Sequence, residues 1–180
     1  IGLATVVPTL LWANLASPYI WITVMVTVGF GVVGFVDDYK KVIRKDTAGL
    51  SPRQKLAAQF ALAALAAALI YMDVGIKDTV NIPFFKNVRP GLGPLYIPFI
   101  VLVIVGASNA VNLTDGLDGL ATGPSVIAAG TYMVFAYLAG NVKIANYLQI
   151  QYVPGVGELT IFCGALAGAG LGFLWFNAYP

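Results

Sequence analysis

Apolar residues in this chain come in blocks of membrane length, separated by short stretches where charge, Pro and Gly collect. A bilayer-spanning helix needs roughly 20 mostly apolar residues. Five blocks approach that length: 1–16, 20–36, 56–72, 95–111 and 158–176. A sixth, 120–139, is less apolar but long enough. None alternates apolar and polar residues as a β-barrel strand would. The pattern therefore predicts an all-α, polytopic transmembrane bundle of about six spans, forming one integral-membrane domain over 1–180. Local signals sharpen some boundaries. Ser51-Pro52-Arg53-Gln54 has the form of a capping box with Pro at the first helical position, so a helix is expected to start near Ser51. The stretch from Asp78 to Pro94, with Pro83, Pro90 and Gly91, reads as a short hairpin or loop. Gly164, Gly168 and Gly172 recur every four residues, which predicts a close helix-packing surface and no chemistry.

Composition agrees with the pattern. The chain of 180 residues is 59% hydrophobic and 10% charged, with mean hydropathy +0.84, whereas soluble domains carry about 25% charged residues. Ile1 is not a natural start, and the chain stops just beyond an apolar block, so it reads as an internal piece of a longer protein. The single cysteine, Cys163, lies in an apolar run and reads as a small buried hydrophobe. With no histidine, the usual neutral-pH base and metal ligand are missing. The net charge of +2 matters less than its distribution. Six of the ten Lys and Arg residues lie in 37–55, three in 73–94 and one in 140–157. Positive charge favours the cytoplasmic side. Counting spans from there puts Asp37, Asp38, Asn112, Asp115, Asp118 and Asn177 on the cytoplasmic face, with 73–94 and 140–157 outside.

Carboxylates at the edge of a bilayer are costly and call for a reason. Asp37 and Asp38 could simply begin a solvated loop beside Lys40, Lys41, Arg44 and Lys45. Adjacent carboxylates, however, repel one another, and such pairs often bind a divalent metal or share a proton. The basic run next to them suits lipid headgroups or a phosphorylated substrate. A second polar stretch, NLTDGLDG from Asn112 to Gly119, could be only a turn. Its Asn112, Asp115 and Asp118 are nevertheless spaced to share one face of a helical start, and Gly116 and Gly119 would let backbone approach a ligand. The spacing matches neither an EF-hand nor a P-loop. Hard oxygen donors without His or Cys favour magnesium or manganese over zinc. Together the two acidic stretches and the basic run suit metal-assisted phosphoryl transfer at a membrane surface.

GFVDDYKKVIRKDTAGLSPRQK, PFFKNV, NAVNLTDGLDGLA and GAGLGFLWFNAYP, in that order over nearly the whole chain, closely resemble the bacterial phospho-N-acetylmuramoyl-pentapeptide transferases. DDxxK with NxxDGxDG alone would indicate only the broader superfamily of polyprenyl-phosphate N-acetylhexosamine-1-phosphate transferases, while PFFKNV and GFLWFNAYP favour the muramoyl-pentapeptide branch. The resemblance implies a multi-pass enzyme of the bacterial inner (cytoplasmic) membrane, working at its cytoplasmic face in peptidoglycan synthesis. It implies transfer of phospho-N-acetylmuramoyl-pentapeptide from its UDP-linked donor to undecaprenyl phosphate, with UMP released and magnesium required. Asp37, Asp38 and Asp115 would be catalytic and could also hold the metal, one of the first two deprotonating the lipid phosphate. Lys45 would hold phosphates. Asn112, Gly116, Leu117 and Asp118 would line the nucleotide pocket with Asn177 nearby. A further Asp and a histidine cluster are expected beyond Pro180. A homodimer is compatible with the resemblance; a nucleic-acid partner is not expected.

Two rival readings remain at this stage. One is a sister transferase that moves N-acetylglucosamine-1-phosphate to a polyprenyl phosphate. The other is a cation-coupled transporter, which would put acidic groups near mid-bilayer on broken helices; here they sit at span ends.

Overall fold

The computed structural model describes residues 1–43, 49–73, 78–82, 85, 88–114 and 119–177. Among the described residues, seven α-helices run in chain order: α1 (Gly2–Trp12), α2 (Pro18–Val42), α3 (Pro52–Asp73), α4 (Tyr96–Thr114), α5 (Thr122–Gly140), α6 (Val142–Leu148) and α7 (Leu159–Asn177). Single 3-10 turns, Gly93–Leu95 and Val156–Glu158, lead into α4 and α7. Among the described residues, five helical stretches are long and apolar enough to cross a membrane, and Gly2–Trp12 is a shorter apolar helix. The all-α architecture of about six spans is thus the one the hydropathy pattern predicts.

The helices overrun the apolar blocks at their ends, and the overruns carry the polar residues of interest. α2 continues past Val36 to Val42, so Asp37 and Asp38 are helical residues and do not begin a loop. α4 continues to Thr114, which puts Asn112 in its last turn. At the start of α3 the capping box forms as expected. The Ser51 amide donates to Gln54 Oε1 and the Gln54 amide to Ser51 Oγ, both at 3.3 Å.

The chain divides into two compact units, Ile22–Ala107 and the pair of segments Ile1–Trp21 with Ser108–Pro180. Within Ile22–Ala107, Ala63 and Ala67 of α3 form a buried cluster with Val101 and Val105 of α4, flanked by Ile97, Ile100 and Ile104. Alanine side chains leave room for branched neighbours, as close helix packing in a bilayer requires. Gly29 of α2 does the same against Leu62, whose Cδ2 would lie 2.8 Å from a Cβ at that position. The expected hairpin is present in short form. Thr79 and Gly91 make an antiparallel bridge, and the Leu92 amide donates to the Asp78 carbonyl at 2.7 Å. The Asp78 carboxylate closes the turn by accepting from the Gly93 amide at 2.8 Å.

In the other unit α7 packs against α5 and α1. The glycine pattern differs from the expected one. Gly164 meets Met133 of α5, but Gly168 and Gly172 face open space among the described residues. The tight contact is at Gly170, where a Cβ would stand 2.5 Å from Val126 Cγ2. Spacing alone marks small positions on a helix, while the position of α5 decides which of them it meets. The stretch between α5 and α7 contains a short helix that the apolar pattern did not indicate. Asn141 caps α6 by accepting from the Lys143 and Ile144 amides at 3.0 and 3.2 Å. The connection from α1 to α2 is latched to the start of α7. Asn14 donates its amide to Glu158 Oε2 at 2.8 Å and Ser17 its hydroxyl to the Gly155 carbonyl at 3.3 Å.

Candidate active site

Asp37 and Asp38 are consecutive on α2, so their side chains leave the helix about 100° apart, and their surroundings differ accordingly. Asp37 is 7% exposed. Its Oδ2 accepts from Lys41 Nζ at 2.8 Å, one turn further along α2. Its Oδ1 accepts from the Leu50 amide at 2.8 Å, across the connection to α3. Gly49 makes this approach possible. It holds φ +62, a left-handed conformation that favours glycine. A Cβ there would stand 2.5 Å from Asp37 Oδ1 and 2.7 Å from Lys41 Cε. Asp38, by contrast, is exposed, as are Tyr39 and Lys41, with Lys40 half-buried. One carboxylate of the pair is therefore built into the protein and its neighbour is presented outward.

Two of the remaining candidates are described, and both belong to the other unit. Asn112, in the last turn of α4, and Asn177, the last residue of α7, are both exposed. Lys45, Asp115, Gly116, Leu117 and Asp118 lie outside the described residues. Gly119 has φ +83, and a Cβ there would lie 3.2 Å from Leu174 Cδ2. The left-handed backbone and the nearness of Leu174 each favour glycine at this position. Beside it a cavity of about 330 Å³ opens between α4, α5 and α7, lined by Val111, Gly119, Thr122, Ser125, Val126 and Phe173 among others. The Ser125 hydroxyl donates to the Ala121 carbonyl at 2.7 Å, so it is satisfied within the helix and the cavity wall stays largely apolar.

Sequence reasoning missed Gly49 and Leu50. Lys41 carried a signal, since Asp and Lys four apart on a helix pair readily; nothing in the spacing marked the Leu50 amide. The donor set can be weighed for magnesium, which keeps several waters and takes one or two protein carboxylates. Asp38 fits that use. Asp37 fits it less well, because both oxygens already accept hydrogen bonds and a cation, Lys41, sits against one of them. Among the described residues no group of three or more His, Cys, Asp or Glu side chains comes together.

Five described helices of membrane length, one of them carrying two adjacent carboxylates near its end, define a polytopic membrane protein. A family model described as glycosyl transferase family 4 matches residues 20–180. The chain belongs to that family. It is 61% identical over 175 residues to the phospho-N-acetylmuramoyl-pentapeptide-transferase of Geobacter sp. (strain M21), covering 97% of this chain and 49% of the relative. It is 58% identical over 178 residues to the protein of that name from Desulfotalea psychrophila, covering 99% and 50%. With the one from Maridesulfovibrio salexigens it shares 55% over 180 residues, covering 100% and 50%. The chain spans about half the length of these relatives.

Proposed function

We propose that the whole protein transfers phospho-N-acetylmuramoyl-pentapeptide from its UDP-linked donor to undecaprenyl phosphate. The observation that supports this reading is the pair of adjacent carboxylates near the end of α2. An exposed carboxylate, Asp38, stands next to a buried, lysine-paired one, and a basic stretch follows in sequence. The likeness to relatives bearing that transferase name supports the choice of sugar and lipid.

In the reaction an oxygen of the lipid phosphate attacks the sugar-bearing phosphorus of the donor. The bond from that phosphorus to the bridging oxygen breaks, UMP leaves, and a lipid-linked diphosphate sugar remains. The two phosphate-bearing substrates repel each other, so the protein's task is mainly positioning and charge neutralisation. Lys45 and Arg44 hold phosphate oxygens. Asn112, Gly116, Leu117, Asp118 and Asn177 contribute to the nucleotide pocket. Asp38 and Asp115 orient the attacking phosphate and would hold magnesium, which when bound would offset charge on the diphosphate. This work is done on the cytoplasmic face of the bacterial inner membrane, which gives both the soluble nucleotide and the lipid access to one site.

The test is UMP release by the full-length protein in detergent or nanodiscs, with each substrate omitted in turn and magnesium titrated. Release should require UDP-N-acetylmuramoyl-pentapeptide, undecaprenyl phosphate and magnesium together. Release from UDP-N-acetylglucosamine in place of the muramoyl donor would select the sister transferase.

A further inference from the structure

We infer that the segment between α5 and α7, with α6 at its centre, is a lipid-binding element: it lies in the bilayer surface and rests on phospholipid through Ile144, Tyr147 and Leu148. The inference is independent of the proposed transfer reaction.

Length and closure set the level of this segment. α5 has 19 residues, so it rises about 28 Å at about 1.5 Å per residue, close to the roughly 30 Å of bilayer hydrocarbon. Its end at Gly140 therefore reaches the boundary between lipid chains and headgroups. The chain that follows stays near that point. Gly140 meets the turn before α7 so closely that a Cβ would stand 2.5 Å from the Gly157 amide nitrogen. The Val153 amide donates to the Ala139 carbonyl at 2.9 Å, so the segment leaves and returns at one place. Within it the Asn141 cap starts α6. Gln149 ends the helix in a left-handed conformation, φ 57, and the Ile150 amide donates to the Ala145 carbonyl at 3.0 Å. Ala145 is fully buried and α6 packs on α5. The short helix is thus held down at the level of the headgroups.

The two flanks of α6 differ in chemistry. At about 100° per residue, Tyr147, Ile144 and Leu148 lie about 200°, 260° and 300° round the axis from Ala145, while Asn146 and Lys143 lie at about 100° and 160°. Val142 is the apolar exception on the polar flank. Tyr147 is 86% exposed, and Leu148, Ile150 and Tyr152 are exposed as well. A helix lying in a bilayer interface has this division into an apolar and a polar side. Tyrosine suits the level, because its ring can enter the chains while its hydroxyl stays among the headgroups. Lys143, also exposed, is placed to meet lipid phosphates. The apolar flank also continues the surface of a membrane-length helix, since Val134, Phe135 and Tyr137 are exposed in the last two turns of α5.

The experiment uses the full-length protein in nanodiscs of phosphatidylethanolamine and phosphatidylglycerol, with its native cysteines, Cys163 among them, replaced by alanine. Lys143→Cys, Asn146→Cys, Tyr147→Cys and Leu148→Cys each carry one nitroxide label. Collision with oxygen, which concentrates in lipid, is compared with collision with a nickel chelate, which stays in water. The oxygen-to-nickel ratio should be several-fold higher at positions 147 and 148 than at 143 and 146. Equal ratios at all four positions would place both flanks in water and overturn the inference. Low collision with both reagents at 147 and 148 would show a protein cover, from a second copy or another chain, and would overturn it equally. A second measurement needs no substitution and stands if a label disturbs folding. Wild-type protein in the same discs is exposed to hydroxyl radicals generated in water, and Tyr147 should oxidise several-fold more slowly than tyrosine in an unstructured peptide. Oxidation at the peptide's rate would refute the contact with lipid.

Discussion

Gly170 offers the most direct test of how the helices around the candidate site pack. In the change Gly170→Ala a single methyl group is added on α7, 2.5 Å from Val126 Cγ2 and 3.5 Å from Thr122 Cγ2 of α5. The ordinary separation of carbon atoms in contact is about 3.5–4.0 Å, so the two helices must part by roughly an ångström or the valine must leave its rotamer. Such overpacking typically costs about 1–3 kcal/mol. For a domain of this size each kilocalorie lowers the melting temperature by about 2–4 °C, so a drop of about 2–12 °C is expected. Two companions isolate the cause. Gly168→Ala lies on the same helix with nothing within 4 Å of its Cβ position and should melt within about 1 °C of wild type. Val126→Ala removes the opposing methyls and should recover most of the loss when combined with Gly170→Ala. Melting is followed by intrinsic fluorescence in one detergent for all four proteins. Equal destabilisation by Gly168→Ala and Gly170→Ala would refute the contact geometry, and so would a double variant no better than Gly170→Ala alone. Gly170 also lines the cavity beside Gly119, so the same substitution should raise KM for the nucleotide substrate if that end of the bundle shapes its pocket.

Asp38→Asn and Asp115→Asn should each cost about a thousandfold in UMP release at every magnesium concentration, with melting temperatures nearly unchanged; near-normal turnover would leave Asp38 a solvated helix residue and Asp115 a turn former. Lys45→Gln should raise KM for the nucleotide substrate several-fold, and unaltered kinetics in correctly inserted protein would leave it a solvated surface charge. Single cysteines at positions 115 and 86 test the orientation set by the basic stretch: reagent outside intact cells should label position 86 and spare 115, and the reverse pattern would invert the topology.

The parts of this fold legible in the sequence are those governed by length and local chemistry. Apolar blocks of spanning length became helices because a backbone in lipid must satisfy its own hydrogen bonds. The Ser51 capping box and the Asp78–Pro94 hairpin formed where their signals lay. Helix ends were less legible. Hydropathy stops at Val36, whereas α2 continues through Asp37 because the Asp37–Lys41 pair supports another turn and a half of helix. α6 escaped notice because seven residues make no apolar block; its signal was the Asn141 cap. Of the candidate site, the sequence indicated which residues to consider but not how they differ. The contrast between Asp37 and Asp38 depends on the Leu50 amide thirteen residues away and on the left-handed turn at Gly49, and no spacing rule encodes either. The sequence likewise suggested Gly164, Gly168 and Gly172 for packing, yet the closest approach falls at Gly170, since a contact line depends on where the partner helix lies.

The latch between Asn14 and Glu158 spans 144 residues of chain, and it belongs to a unit whose two segments are separated in sequence by Ile22–Ala107. A ribosome adding about 5–20 residues per second needs about 7–30 s to deliver Glu158 after Asn14. Throughout that interval α1 has entered the bilayer while its packing partner α7 does not yet exist. Ile22–Ala107 can meanwhile complete its own core, since Ala63, Ala67, Val101 and Val105 are all in hand. The core of Ile22–Ala107 can therefore form before α7 reaches α1. The Thr5 hydroxyl of α1 donates to the Ile1 carbonyl and the Thr9 hydroxyl to the Thr5 carbonyl, so neither needs a partner on α7 while the helix waits.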